Sequence, residues 1–444
     1  MSIGKNIFNT ILSQISVQFL GILSGIFIAR LIGPEGKGVF AIYQANAQLL
    51  VTFFSLSFGY ALTYFIPSGK IRSNKMLGIS ILITLIGSIC IVFAILFFNY
   101  TVFKDFLFPI KYSGLLYISW IFFYSVFQII NTIATGFFQG LKEFGVINKV
   151  SIINSIINVL FFSTVFILDK YNYCEINVLD LLYGLLLLTL LNTIQFIIPY
   201  LKKINIKPSF NISMSNDIKP ILNFTLYTHL GIFVSFFNSR LSLWILNFYL
   251  NEVAIGLFSL ASNLIVVFSL ISAPIGNVLM PFLSSEDGKK KKEIFYKYSR
   301  LNFSTVFIIA IIGFFLSSTM IPLLYGEEFS SASLLFQILI PGILFASISR
   351  LLAVYIGANN KQLYNLYATL IGSFVNIVLN CLLIKHFGLI GASIASSITY
   401  ISICLAMMYY VHFKLGLTFG NYFFINLQEI KYMKSNFNNF LKKL

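Results

Sequence analysis

The chain has 444 residues, 58% of them hydrophobic and only 10% charged, against about 45–50% and about 25% in soluble domains. Apolar runs longer than about 18 residues recur from end to end, which excludes a soluble globular protein, and the alternating segments of about 10 residues that build a transmembrane barrel are absent. The formal net charge of +16 requires no nucleic acid as partner, because the basic residues sort by connecting loop, as they do in membrane proteins.

Hydropathy predicts an all-α integral membrane protein with twelve helices, at about 7–32, 38–66, 76–99, 112–139, 147–168, 179–200, 221–246, 254–283, 295–323, 333–356, 363–384 and 390–412. The first run, Ile7 to Ile32, is too long for a signal peptide and no small-residue cleavage site follows it. Between helices 1 and 2 lies Arg30-Leu31-Ile32-Gly33-Pro34-Glu35-Gly36-Lys37-Gly38-Val39-Phe40-Ala41-Ile42-Tyr43. It is not a phosphate loop, lacking both the preceding strand and the Lys-Ser/Thr ending. A weaker copy returns as Asn251-Glu252-Val253-Ala254-Ile255-Gly256-Leu257-Phe258.

Glu35 matches Glu252 at an offset of 217 residues and Gly38 matches Gly256 at 218. Gln139-Gly140 matches Ile356-Gly357 at 217, and Asn158 matches Asn376 at 218. A repeat at half the chain length predicts two pseudo-symmetric six-helix bundles, 1–200 and 221–413, joined by a linker at 201–220. The linker is the natural hinge between the halves. Residues 414–444 space Phe423, Leu427, Ile430, Phe437, Phe440 and Leu444 along one face, opposite Lys431, Lys434 and Lys442, as an interfacial amphipathic helix would.

Twenty-two of the 30 Lys and Arg fall in even-numbered connections and at the two termini, and six in odd-numbered ones. The positive-inside rule then makes both termini cytoplasmic. The run Ser284-Ser285-Glu286-Asp287-Gly288-Lys289-Lys290-Lys291-Lys292 reads as a cytoplasmic loop near an anionic leaflet. Cys90, Cys174, Cys381 and Cys404 are scattered singly, and His229, His386 and His412 have no ligand spacing. No disulfide framework, metal site or cofactor is expected.

The remaining two basic residues, Arg240 and Arg350, lie inside helices. A charge at the bilayer centre costs at least about 2.5–3.5 kcal/mol, so such groups are functional candidates. A guanidinium fork suits a phosphate, although each arginine could instead snorkel or cap helix carbonyls. His229 precedes Arg240 by about three helical turns and shares its face. Arg30, at the outer end of helix 1, is a further candidate whose position equally suits snorkelling. Neutral polar stripes run along helix 4 (Gln128, Thr132, Thr135 and Gln139, with Asn131 adjacent), helix 2 (Gln44, Gln48, Ser55) and helix 1 (Gln14, Gln18). They line a hydrated cavity or bond helix to helix at about 0.6 kcal/mol apiece. Asn154/Asn158 and Asn376/Asn380, placed alike in both halves, read as packing pairs.

The helix 1–2 junction, its echo and the twelve-helix plan resemble polysaccharide-biosynthesis flippases, the O-antigen and capsule repeat-unit flippases of the multidrug/oligosaccharidyl-lipid/polysaccharide exporter superfamily. The resemblance implies a V-shaped pair of bundles around a cationic cavity. It also implies a plasma-membrane flippase that turns an undecaprenyl-pyrophosphate-linked oligosaccharide to the outer leaflet of a bacterial inner membrane by alternating access, in O-antigen, lipopolysaccharide or capsule biosynthesis. By analogy Arg240, Arg350, His229 and Arg30 face the lipid pyrophosphate, and Gln44, Gln48, Gln128 and Asn131 face the glycan. The expected partners are the lipid-linked oligosaccharide, membrane lipids and the polysaccharide polymerase and chain-length machinery, with the protein itself a monomer. Coupling to the membrane potential or to an H+ or Na+ gradient is open. The alternatives are a teichoic or teichuronic acid exporter, a lipid II exporter or a multidrug extruder of the same superfamily. A polymerase or ligase is a further class, disfavoured by the short external connections.

Overall fold

A computed structural model describes residues 3–101, 114–204, 206–286 and 288–424. Its helices are α1 (Ile3–Phe54), α2 (Phe58–Phe65), α3 (Ser73–Asn99), α4 (Leu115–Gly140), α5 (Phe144–Lys170) and α6 (Val178–Pro199). They continue as α7 (Lys219–Tyr249), α8 (Glu252–Leu264), α9 (Val266–Ser285), α10 (Gly288–Tyr325), α11 (Ser331–Ala358) and α12 (Leu363–Leu415). Among the described residues ten stretches are long and apolar enough to cross a membrane.

Two of those ten are double. Thr10–Phe54 has 45 residues and Leu363–Leu415 has 53, or about 68 and about 80 Å at ~1.5 Å per residue, twice an apolar layer of ~30 Å. In α1 the helical geometry lapses only at Gly33, where φ is 60° and ψ −172°, a region open to glycine. Before it, α1 runs beside α5, with Ser13 donating to Asn148 O and Phe27 against Phe166. Beyond it, α1 runs beside α4, with Tyr43 against Trp120 and Ser125 donating to Ala47 O. A short turn joins α4 to α5, so the two arms of α1 run in opposite directions. Gly388 (φ 54°) does the same in α12, where Tyr364 stacks on Tyr410 with centroids 3.6 Å apart and Gly372 meets Ile403. Counting each arm separately gives the twelve crossings that hydropathy predicts.

Other expectations need correction. The helix expected over 38–66 breaks between Phe54 and Phe58, where Leu56 (φ 48°) and Ser57 (φ 53°) are left-handed. The one expected over 254–283 is interrupted at Ile265. The lysine run is not a loop, because Lys289–Lys292 form the first turn of α10. There Lys291 donates to Ala358 O (3.0 Å) and Lys292 to Gly416 O (2.7 Å), so these ammonium groups close the carbonyl ends of α11 and α12. After Gly416 the chain leaves the helix, so residues 416–424 do not form the start of the amphipathic helix expected over 414–444. Leu417 and Tyr422 bury against Phe295 and Tyr355; residues 425–444 lie outside the described set.

By contact the chain divides into two compact units, one of residues up to Leu260 with Ile321–Ala332, the other of Ala261–Met320 with residues from Ser333 onward. The connection 201–220 belongs to the first. Ser209 N donates to Asn74 O, and Asp217 pairs with Lys75 at 2.7 Å. Within this unit Trp120 is fully buried, stacked on Tyr124 and donating its Nε1–H to Leu182 O.

The same unit brings the two copies of the junction together. A Cβ at Gly38 would overlap Glu252 O and come within 3.0 Å of Gly256 N, while a Cβ at Gly256 would overlap Pro34 O and come within 3.0 Å of Gly38 N. Glu252 follows Pro34 by the 218 residues that separate Gly256 from Gly38. The contact is therefore reciprocal, residue for repeat-related residue, as about a two-fold axis.

Candidate functional site: a polar cavity between α2, α4 and α6

The polar stripe of α4 borders a cavity of about 850 Å³ in the first unit. Gln128, Asn131, Thr132, Thr135 and Gln139 supply the α4 wall, Gly59, Tyr60 and Thr63 the α2 wall, and Asn192 a contribution from α6. Lys142, in the turn after α4, is the one charged residue of the lining. The volume suits a small-molecule site, typically ~300–1,000 Å³.

Helical geometry dictates what each group offers. Thr132 and Thr135 donate to the carbonyls of Gln128 and Asn131 at 2.8 Å, leaving their oxygens as acceptors. The Gln128 amide donates to Tyr124 OH (3.1 Å) and is half-buried. Asn131 is 5% exposed and committed to packing, with Nδ2 donating to Thr189 O (3.3 Å) and Oδ1 accepting from Thr193 Oγ1 (3.0 Å). It therefore buttresses the wall more than it presents to a ligand.

The other expected residues lie elsewhere. Gln44 and Gln48 are half-buried on the second arm of α1 and do not border this cavity. Between them Asn46 accepts a 2.8 Å bond from Trp244 Nε1. Arg30 donates Nε to Leu324 O at 2.7 Å and a second guanidinium nitrogen to Leu323 O. It caps the end of α10 through two of its three guanidinium nitrogens. Arg240 is half-buried on α7 in the first unit and has an interaction of its own. Arg350 is exposed on α11 in the second unit. His229 places Nδ1 3.1 Å from Ser57 Oγ, beside the rings of Phe53 and Phe233. The two asparagine pairs behave alike, Asn158 and Asn380 each donating to the carbonyl of the asparagine four residues earlier.

Sequence reasoning missed Tyr60, Thr63, Asn192 and Lys142. Tyr60 and Thr63 follow the break in the second helix, so a stripe extended from Gln44 and Gln48 loses its register there. Lys142 was legible only as one more basic residue in a connecting loop. Among the described residues no group of His, Cys, Asp or Glu is placed to hold a metal.

A multi-pass helical membrane protein with paired repeats and a polar cavity is the class defined so far. The fold is shared with the lipid II flippase MurJ in an inward closed conformation (TM-score 0.71, 18% identity, 93% of this chain and 88% of that one). It is shared too with an inward-facing multidrug resistance transporter of the MATE family and MOP superfamily (TM-score 0.67, 14% identity, 89% and 93%). Residues 3–287 match the family described as polysaccharide biosynthesis protein, and the chain belongs to that family. It is 23% identical over 389 residues to a probable low-salt glycan biosynthesis flippase, Agl15, of Haloferax volcanii, covering 86% of this chain and 77% of that one. It is 27% identical over 220 residues to the capsular polysaccharide biosynthesis protein CapF of Staphylococcus aureus, covering 48% and 55%.

Proposed function

We propose that the protein is a flippase that carries a lipid-linked oligosaccharide, an undecaprenyl-pyrophosphate repeat unit of a surface polysaccharide, from the cytoplasmic to the outer leaflet of a bacterial plasma membrane. The observation that carries this reading is the α2/α4/α6 cavity, whose amides and hydroxyls match the hydrogen-bonding of sugar hydroxyls. Family membership and the flippase and capsule relatives support the same substrate class. Arg240 and Arg350 are each proposed as a separate contact for the pyrophosphate. With a negative cell interior, every negative charge carried outward gains ~2.3 kcal/mol per 100 mV, so the potential favours this direction. No bond is made or broken, so the protein acts as a transporter and not as a polymerase or ligase. An extruder of organic cations fits the cavity less well, since its one charged liner is the cation Lys142.

The test is a strain lacking the chromosomal copy, supplied with Gln128→Leu, Gln139→Leu or the parent. Loss of one hydrogen bond to the ligand, about 0.5–1.5 kcal/mol, lowers surface polymer roughly two- to tenfold in each variant at equal protein level. Lipid-linked repeat units accumulate in proportion. Unchanged polymer in a Gln128→Leu/Gln139→Leu double variant would overturn the assignment of this cavity to the glycan.

A further inference from the structure

The break between α1 and α2 is unexplained by its own sequence. Thr52-Phe53-Phe54-Ser55-Leu56-Ser57-Phe58 contains neither glycine nor proline, yet Leu56 and Ser57 both stand in the left-handed region. A side chain is strained there, and two such residues in succession persist only where the surroundings impose them. The backbone records the interruption. Ser55 N still donates to Val51 O, but Phe58 N turns to Ser55 O and Tyr60 N to Ser57 O, three residues back in place of four.

A polar contact at the break comes from α7. His229 holds Ser57 Oγ through Nδ1 and packs its ring on Phe53, just before the break. Five residues earlier on α7, Phe224 stacks on Tyr64 with centroids 4.8 Å apart and meets Phe65 edge-on at 5.7 Å, both at the end of α2. One helix thus grips the chain on either side of a strained joint, and His229 is the polar contact at the joint itself. Two, three and six residues beyond Ser57 come Gly59, Tyr60 and Thr63, the α2 wall of the polar cavity. The α4 wall is a continuous helix, on which α2 seats Gly59 against Gly136 backbone to backbone.

We infer that His229 is a positioning residue for the cavity: its hydrogen bond to Ser57 fixes the left-handed break and thereby sets where α2 places Tyr60 and Thr63. The inference rests on the cavity being the ligand site, but not on which ligand fills it. His229 then acts on the glycan through α2, in place of the direct phosphate contact that its depth in the membrane suggests.

The full-length protein tests this without any substrate. Thr63→Cys reports the α2 wall and Thr132→Cys the α4 wall, each read as the rate of labelling by a water-soluble thiol reagent above the label taken by the parent chain. His229→Phe changes labelling at position 63 by about three- to tenfold, the worth of one hydrogen bond, with position 132 within about twofold. Ser57→Ala does the same, and the two changes together do no more than the larger alone, since both remove one bond. His229→Asn, which returns a polar atom near Nδ1, restores the parental rate. Unchanged labelling at 63 in both single variants overturns the inference, and so does a parallel change at 63 and 132, the mark of general loosening. Because labelling is independent of transport, altered labelling with normal surface polymer would fault the assignment of the cavity to the glycan and leave the positioning role standing.

Discussion

Arg30, Arg240 and Arg350 carry one and the same guanidinium, and their neighbours alone decide what it does. Arg30 lies against two successive carbonyls, Leu323 and Leu324, at the end of α10, where the last turn of any helix leaves acceptors without partners. Its fork matches that pair, so Arg30→Ala lowers the melting temperature of the purified protein by an amount corresponding to about 0.3–1 kcal/mol. Arg30→Lys, with a point charge and no fork, recovers only part of it. Arg350, exposed on α11, gives the contrasting result: Arg350→Ala leaves melting unchanged and reduces surface polymer, which quantitative blotting beside polymer staining checks. The polar stripe divides in the same way. Asn131→Leu removes its two bonds to α6, to Thr189 O and from Thr193 Oγ1, costing about 0.6 kcal/mol per bond, and shows as reduced melting. Gln128→Leu, which loses one bond to Tyr124 OH, shows as reduced transport with a smaller change in melting. Spacing put both residues on one stripe in the sequence; it could not say that Asn131 faces two threonines of α6, because that depends on a helix about 60 residues away.

At the scale of the helix, the turns that glycine makes were legible and the break that tertiary contacts make was not. Gly33 and Gly388 punctuate long apolar runs, so hydropathy found both reversals. Nothing in Ser55-Leu56-Ser57 announces a break, since its polar contact sits on α7, and the cavity wall that follows was lost with it. The lysine run failed for a related reason. Charge alone marks a membrane-flanking position, whereas the carbonyls that Lys291 and Lys292 close arrive from α11 and α12, far along the chain. The glycines of the junction permit a sharper experiment. Any side chain at Gly38 or Gly256 collides with backbone, which has no rotamer to yield, so Gly38→Val and Gly256→Val each abolish recovery of folded protein on gel filtration. Gly25→Val, with nothing within 4 Å of the new Cβ, is recovered at the parental level.

For the molecule as a whole, the proposed topology sets the two ends of every helix in different compartments. Cys174, exposed in the connection between α5 and α6, is then outside, and a membrane-impermeant maleimide labels it in intact cells. Cys174→Ser removes that signal. Protection of Cys174 in intact cells, with labelling only after permeabilisation, would invert the orientation and the direction of transport with it. The whole-chain plan was the part most legible in sequence, because apolar runs of membrane length and a recurring offset survive even where residue identity between the halves is low.

The reciprocal seating of Gly38 on Gly256 has a bearing on ancestry. A contact that two repeats make with equivalent atoms is what a homodimer makes at its axis, and it is the geometry that duplication and fusion of a half-length subunit would leave. Such an interface evolves under a double constraint. In a symmetric dimer a single mutation alters both sides at once and keeps the fit symmetric. After fusion each glycine became free to change alone, yet neither could, because the other's backbone already occupied the space. That mutual exclusion keeps both positions glycine, and so short a motif still reveals the repeat.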